Sequence, residues 1–255
     1  MMSSVVQGWV VLAITMCLLW VRQLQTRDAT TVDVAWSLGV GFLALWFAWQ
    51  STGDPVRRGV VATIAVLWAL RLATYLLRDR VLGRTVEDGR YRYLREHWGR
   101  RAPIGFFYFY QAQALFAVIF ALPLFAAVQG GPLGAIAGVG VLVWAISVVG
   151  ETVADRQLAR FRGEASNRGL VCEVGLWRYS RHPNYFFEWL HWWAYVLISG
   201  GALLSWVGPV AMLLFLFRLT GIPHTEAQAL RSRGDAYRRY QHTTSIFIPW
   251  FRRSA

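Results

Sequence analysis

Residues 105–128 read GFFYFYQAQALFAVIFALPLFAAV, a run without a single charged side chain. A hydrocarbon core about 30 Å thick takes roughly 20 helical residues to cross, so this stretch is long enough for one passage. Working outward from it, six further apolar blocks lie at 5–21, 32–49, 59–77, 132–150, 184–199 and 202–220. Lipid cannot hydrogen-bond open backbone groups, so each block is expected to be a helix. The composition agrees: of 255 residues, 56% are hydrophobic and only 16% charged, against roughly 25% charged in soluble globular proteins. That balance excludes a disordered chain, a fibrous repeat and a disulfide-stapled scaffold, and the grouping of apolar residues in long blocks rather than at amphipathic spacing argues against a soluble basic enzyme. The fold expected is all-α: a polytopic membrane protein, a seven-transmembrane-helix bundle whose cytoplasmic loops and tail form a nucleotide site. Residues 1–255 read as a single integral membrane domain. The first block lacks a basic n-region and an A-x-A-like site, and is read as a helix rather than a signal peptide.

All 26 basic residues are Arg, and with 14 acidic residues they give a net charge of +12. A charge of this size can signal nucleic acid. Here the Arg cluster between the apolar blocks, so topology and anionic ligands explain them and no nucleic-acid partner is expected. The connections after blocks one, three and five and the C-terminal tail carry two, eight, six and six Arg; those after two, four and six carry two, none and none. Arg excess marks the cytoplasmic side. The N-terminus is therefore expected outside and the tail inside, in a bacterial inner membrane. Arg71 and Arg218 fall within or at the ends of blocks, where a central charge costs about 2.5–3.5 kcal/mol on insertion scales. Arg218 can snorkel to the interface, while Arg71, above Arg78 and Arg80, is placed to line a cytoplasm-facing pocket. Cys17 and Cys172 have no ligand spacing and read as packing residues.

The densest polar cluster runs from Arg178 through Ser180, Arg181, His182, Pro183, Asn184 and Tyr185 to Glu188, where a basic loop becomes an apolar helix. Pro183 suits a first helical turn, with Ser180 or His182 near the cap. Free N–H groups beside Arg178 and Arg181 make an anion site fit for a pyrophosphate. Asn184 and Glu188, at i and i+4, point from one helix face into the membrane interior; the competing reading is helix–helix adhesion and an interfacial Tyr belt. Glu151 to Arg162 reads as a helical continuation of block five, with Asp155, Arg156, Arg160 and Arg162 near i, i+4 spacing. His224, Glu226, Tyr237, Tyr240 and Trp250 form a second cluster, either an amphipathic helix on an anionic leaflet or a cover over a bound nucleotide. Asp33, Trp36, Arg71 and Tyr75 form a third, in which Asp33 can also be a helix N-cap.

Other signals lead nowhere. Gly39-Val-Gly41-Phe-Leu-Ala44 matches a dinucleotide fingerprint in form, but it lies in an apolar span with no strand before it, so helix packing is the better reading. The five His are scattered and no metal site is expected. No Ser elbow or Cys–His nucleophile pattern occurs.

The stretch Gly175-Leu-Trp-Arg-Tyr-Ser-Arg-His-Pro-Asn-Tyr-Phe-Phe-Glu188 resembles the C-terminal domain of steroid 5α-reductases and, more closely, their bacterial relatives, domain-of-unknown-function 1295. Asp33-Val-Ala-Trp36 and the tail from Gly221-Ile-Pro through Glu226, Tyr237 and Tyr240 to Pro249-Trp250 are similar to that family too, so the likeness covers about 30–250. The resemblance implies seven membrane helices, NADPH at the cytoplasmic side, and hydride transfer to the C=C bond of a conjugated lipid ketone. It implies Asn184 and Glu188 at the nicotinamide and ribose, and Asp155, Arg162 and Arg181 at the phosphates and adenine. Arg71, Tyr75 and Arg80 match polar positions of the family's third helix, with Arg71 and Arg80 suited to the phosphates. The sequence departs from the family at Phe187, where Gly is usual, at Trp68, which replaces the catalytic Tyr, and in lacking the Gln-Glu pair of the steroid enzymes. Asp33 and Tyr75 are the candidate catalytic acids.

The expected function is thus an NADPH-dependent reductase whose partners are the bilayer and an apolar lipid substrate. Membrane methyltransferases of the isoprenylcysteine or phospholipid kind share the Arg-His-Pro-x-Tyr core and bind S-adenosylmethionine, which makes methyl transfer the second reading. A non-catalytic lipid-binding protein is the third.

Overall fold

A computed structural model of the chain describes residues 2–82, 86–219 and 221–253. Among the described residues all regular structure is helical. Six helical stretches are long and apolar enough to cross a membrane: Ser3–Thr26, Val32–Gln50, Pro55–Val81, Gly89–Ala127, Ala135–Gly163 and Leu203–Thr243. The sequence predicted seven. The difference lies at block 184–199, which forms a helix of 16 residues, Pro183–Ile198. At 1.5 Å per residue that is about 24 Å, short of the roughly 30 Å core. The chain divides into two compact units, Met1–Leu133 with Ala202–Val207, and Gly134–Gly201 with Gly208–Ala255.

The first unit contains α1 (Met2–Thr26), α2 (Val32–Gln50), α3 (Pro55–Leu76), α4 (Gly89–Trp98) and α5 (Ala102–Ala127). Asp54 caps α3, its carboxylate accepting from Arg57 N at 3.0 Å, and Pro55 occupies the first turn, where a missing N–H is harmless. Packing in lipid gains little from water exclusion, so close contact between helices has to supply the attraction. The Gly39-x-Gly41 pair does this on α2: a Cβ on Gly41 would sit 2.8 Å from that of Ala69 on α3, and one on Gly39 would sit 3.2 Å from Leu12 on α1. Trp68, Phe47, Phe120 and Tyr110 are fully buried, with Trp36 edge-on to Trp68 and to Phe120. Trp68 is thus a core residue.

In the second unit α6 (Ala135–Gly163) runs antiparallel along α7 (Pro183–Ile198). Two glycines set their closeness. A Cβ on Gly140 would lie 2.8 Å from the Ala194 carbonyl, and one on Gly150 would lie 2.5 Å from the Phe187 ring. The Phe187 side chain therefore occupies the space that Gly150 leaves open, which accounts for a bulky residue at a position where the resemblance implies Gly. Beyond α8 (Val207–Leu214) and a π-helical turn at Phe215–Leu219, the polar helix α9 (Ile222–Thr243) follows, kinked at Gly234, whose φ is +51°.

Candidate functional site

The start of α7 is held by a knot of polar contacts within the second unit. The Arg181 guanidinium donates from Nε to Glu226 Oε1 at 2.7 Å, and from one terminal nitrogen to the carbonyls of Gln241 and Thr244, both at 2.8 Å. Glu226 also accepts from Gln241 Nε2 at 2.9 Å and lies 3.3 Å from His182 Nε2 and 3.4 Å from Tyr237 Oη. Tyr240 Oη donates to the carbonyls of Trp177 and Ser180. The segment after α9 then closes the knot: Arg181 N donates to Ser245 O at 2.8 Å, Ser180 Oγ to Phe247 O at 2.8 Å, and Trp250 N to Tyr179 O at 2.9 Å. His182 is the N-cap of α7 without a side-chain cap bond. Ser180 Oγ instead accepts from His182 N at 3.1 Å. Burial holds the His182 imidazole below its ordinary pKa, and the contact with Glu226 offsets only part of that.

Of the residues singled out in the sequence, Arg181, His182, Glu226 and Tyr237 are thus brought together as a fastening of the tail to the mouth of α7. Three of the five Arg181 N–H groups are engaged in it. Tyr185 stacks on His182 with ring centroids 5.3 Å apart, and its Oη lies 3.4 Å from Thr225 Oγ1.

Beside the knot, Asn184 Nδ2 donates to Asp155 Oδ1 across the α6–α7 contact at 3.2 Å. Asn184 Oδ1 is buried and has no hydrogen-bond partner among the described residues. Glu188, one turn deeper, is 9% exposed. The facing stripe of α6 carries Ser147, Glu151 and Asp155 at i, i+4 and i+8, all buried. Asp155 therefore lies on a different face from Arg156 and Arg160, which are exposed, rather than in the i, i+4 charge ladder read from the sequence. Arg162 and Arg178 are also exposed. Gly175, at φ +58°, turns the chain between them, and the carbonyl of the Gln157 side chain accepts from Leu176 N at 2.9 Å.

In the first unit, Asp33 lies in the first turn of α2, after the N-cap Thr31, so it is not the cap itself. Its carboxylate accepts from Arg80 and Arg90, each at 2.7 Å, and from Tyr91 Oη at 2.5 Å. Three donors on two oxygens make it a hub joining α2 to the π-helical turn Leu77–Val81 that follows α3 and to the start of α4. The Arg71 guanidinium lies 5.6 Å from the Tyr75 ring centroid, within cation–π range. Sequence reasoning missed Arg90, Tyr91 and Gln241, which lie among many similar polar residues. It also passed over the Ser147–Glu151–Asp155 stripe, although polar residues at helical spacing in an apolar block were a usable signal. Among the described residues no group of three or more His, Cys, Asp or Glu is placed to hold a metal.

Among the described residues, an all-helical architecture with six stretches long and apolar enough to cross a bilayer fits an integral membrane protein. More particularly, the chain belongs to the family described as protein of unknown function (DUF1295), whose profile matches residues 19–244. It is similar to the uncharacterized protein C594.04c of Schizosaccharomyces pombe, 26% identical over 265 residues, covering 91% of this chain and 75% of that protein. No solved structure matches the chain.

Proposed function

We propose that this protein is an NADPH-dependent membrane reductase that adds a hydride and a proton across the C=C bond of an α,β-unsaturated lipid. The observation that carries the reading is Asn184, tied to Asp155 through Nδ2 while its buried Oδ1 has no partner among the described residues. A buried acceptor left unpaired costs about 1–3 kcal/mol, and a carboxamide N–H is a donor of the right kind to satisfy it. The residues present fit a nicotinamide nucleotide. Asn184 would hold the carboxamide and Glu188 a ribose hydroxyl. Arg162 and Arg178, both exposed, would take phosphate charge more readily than Arg181, which is engaged in the knot. NADPH, when bound, supplies the hydride. The protein's part is to align the ring and to keep water from the reacting atoms, for which the buried seam of α6 and α7 is suited. In this reading α7 is a seventh, short crossing, with the Arg-rich connections and tail on the cytoplasmic side. The likeness of residues 175–188 to steroid 5α-reductases supports the same chemistry.

The test is a thermal shift on the detergent-purified protein with NADPH, NADH and S-adenosylmethionine. Cofactor at 100 times its Kd adds about 2.7 kcal/mol, a rise of roughly 5–10 °C for a chain of this size. Asn184→Ala and Glu188→Gln are expected to abolish it. A shift with S-adenosylmethionine alone would replace the reading with the methyltransferase, and no shift with any of the three would favour lipid binding without catalysis.

A further inference from the structure

The outer face of α6 carries a second feature, separate from the buried seam. Leu142, Ile146, Val149 and Val153 follow at i, i+4, i+7 and i+11, and are 59, 49, 62 and 38% exposed. Arg156 and Arg160 continue the same line at i+14 and i+18. With 3.6 residues per turn these six side chains form one straight stripe, apolar for its first three turns and cationic for its last two. Counting roughly 20 residues of hydrocarbon crossing from Ala135 ends at about Ala154, so both Arg emerge at headgroup depth.

Arg156 and Arg160 border a cavity of about 580 Å³, lined also by Val153, Gln157, Phe161 and Asn167. Glu164 is part of the lining too, and its carboxylate accepts from Asn167 Nδ2 at 3.1 Å. Asp155 and Arg162 lie on the opposite side of the helix by the same count, so the cavity is distinct from the seam around Asn184.

We propose that this groove binds an anionic phospholipid, its phosphate between Arg156 and Arg160 and its acyl chains along Leu142, Ile146, Val149 and Val153. Two guanidinium groups a turn apart offer paired N–H donors matched to phosphate oxygens. The apolar stripe directly beneath them selects a phosphate that carries hydrocarbon over one that does not.

Native mass spectrometry of the detergent-solubilised full chain, titrated with dioleoyl phosphatidylglycerol or dioleoyl phosphatidylcholine, tests this. The wild-type protein should bind phosphatidylglycerol more tightly. An arginine near an anionic lipid contributes roughly a fivefold factor in affinity. Arg156→Gln and Arg160→Gln should each weaken binding about fivefold, and the double variant about twenty-five-fold. Arg231→Gln/Arg239→Gln removes the same charge from an exposed face of α9 and should leave the affinity unchanged. Undiminished binding by the Arg156/Arg160 double variant, equal loss in the α9 control, no preference over phosphatidylcholine, or displacement by millimolar inorganic phosphate would each overturn the assignment.

Discussion

Replacing Glu226 by Ala removes the acceptor on which the knot at the α7 mouth converges. Arg181 and Glu226 are 9% and 14% exposed at the side chain, and breaking a buried ion pair from one side costs about 3–5 kcal/mol. Arg181 keeps its two carbonyl partners, Gln241 and Thr244, which places the expected loss near the lower end, about 3 kcal/mol. That energy acts on detachment of α9 and the following segment, because Glu226 belongs to α9 and Arg181 does not. At 1.4 kcal/mol per tenfold, the opening equilibrium should rise by about 150-fold. Arg231, Arg238 and Arg239 on α9 are exposed, so limited trypsinolysis reads the opening directly when closing outpaces cleavage. Glu226→Gln, which keeps an acceptor but not the charge, should lose only about 1–2 kcal/mol. The reasoning is refuted if Glu226→Ala accelerates tail cleavage less than about threefold. A near-zero coupling between Glu226→Ala and Arg181→Met in a double-mutant cycle would refute it equally.

Three other expectations concern packing and charge. His182 has a lowered pKa in the fold, so its contribution is intact above the ordinary value near 6.5 and is lost as pH falls through that value toward the folded one; His182→Gln should flatten this part of a melting-temperature profile measured from pH 7.5 to 5.5, and a wild-type profile that rises on acidification would contradict it. Gly150→Ala should lower stability by about 1–3 kcal/mol because its Cβ meets the Phe187 ring, and adding Phe187→Ala should recover part of the melting temperature. Asp33→Asn should cost about 1–2 kcal/mol, discounted for the partial exposure of Arg80 and Arg90, with Tyr91→Phe near 1 kcal/mol; indistinguishable melts for both variants would show that Asp33 is not a hub.

The helical class was legible because long uncharged runs such as 105–128 admit few alternatives in lipid. The length of the fifth block's helix was legible too: Glu151 to Arg162 does continue α6 to Gly163. The helix at 183–198 was legible in its bounds, read as block 184–199 with Pro183 in its first turn, but hydropathy reports where apolar residues lie and not whether a helix of 16 residues spans the hydrocarbon core. The 3-10 turn at Leu203–Trp206 and the π-helical turn at Phe215–Leu219 depend on tertiary contacts that leave no trace in composition. At the site, residue types were legible and partners were not. Arg181 and Glu226 were both picked out, yet 45 residues separate them, and nothing local indicates that they satisfy each other. The resemblance set Asn184 and Asp155 at opposite ends of a nucleotide, and nothing in the sequence indicated that the two side chains bond each other; Asp33 likewise proved to be bound by Arg90 and Tyr91, two residues in a stretch so rich in Arg and Tyr that none stood out.

The fastening around Ser180 and Arg181 also sets a timetable. Ser180 Oγ needs the carbonyl of a residue 67 positions later, and the Arg181 side chain needs one 63 positions later. At synthesis rates of about 5–20 residues per second, those partners emerge roughly 3–13 s after the groups they satisfy. During that interval a nascent chain must carry the Arg181 guanidinium at the start of α7 without these carbonyl partners. Slow codons between positions 182 and 244 would lengthen that exposure without altering one amino acid of the finished protein.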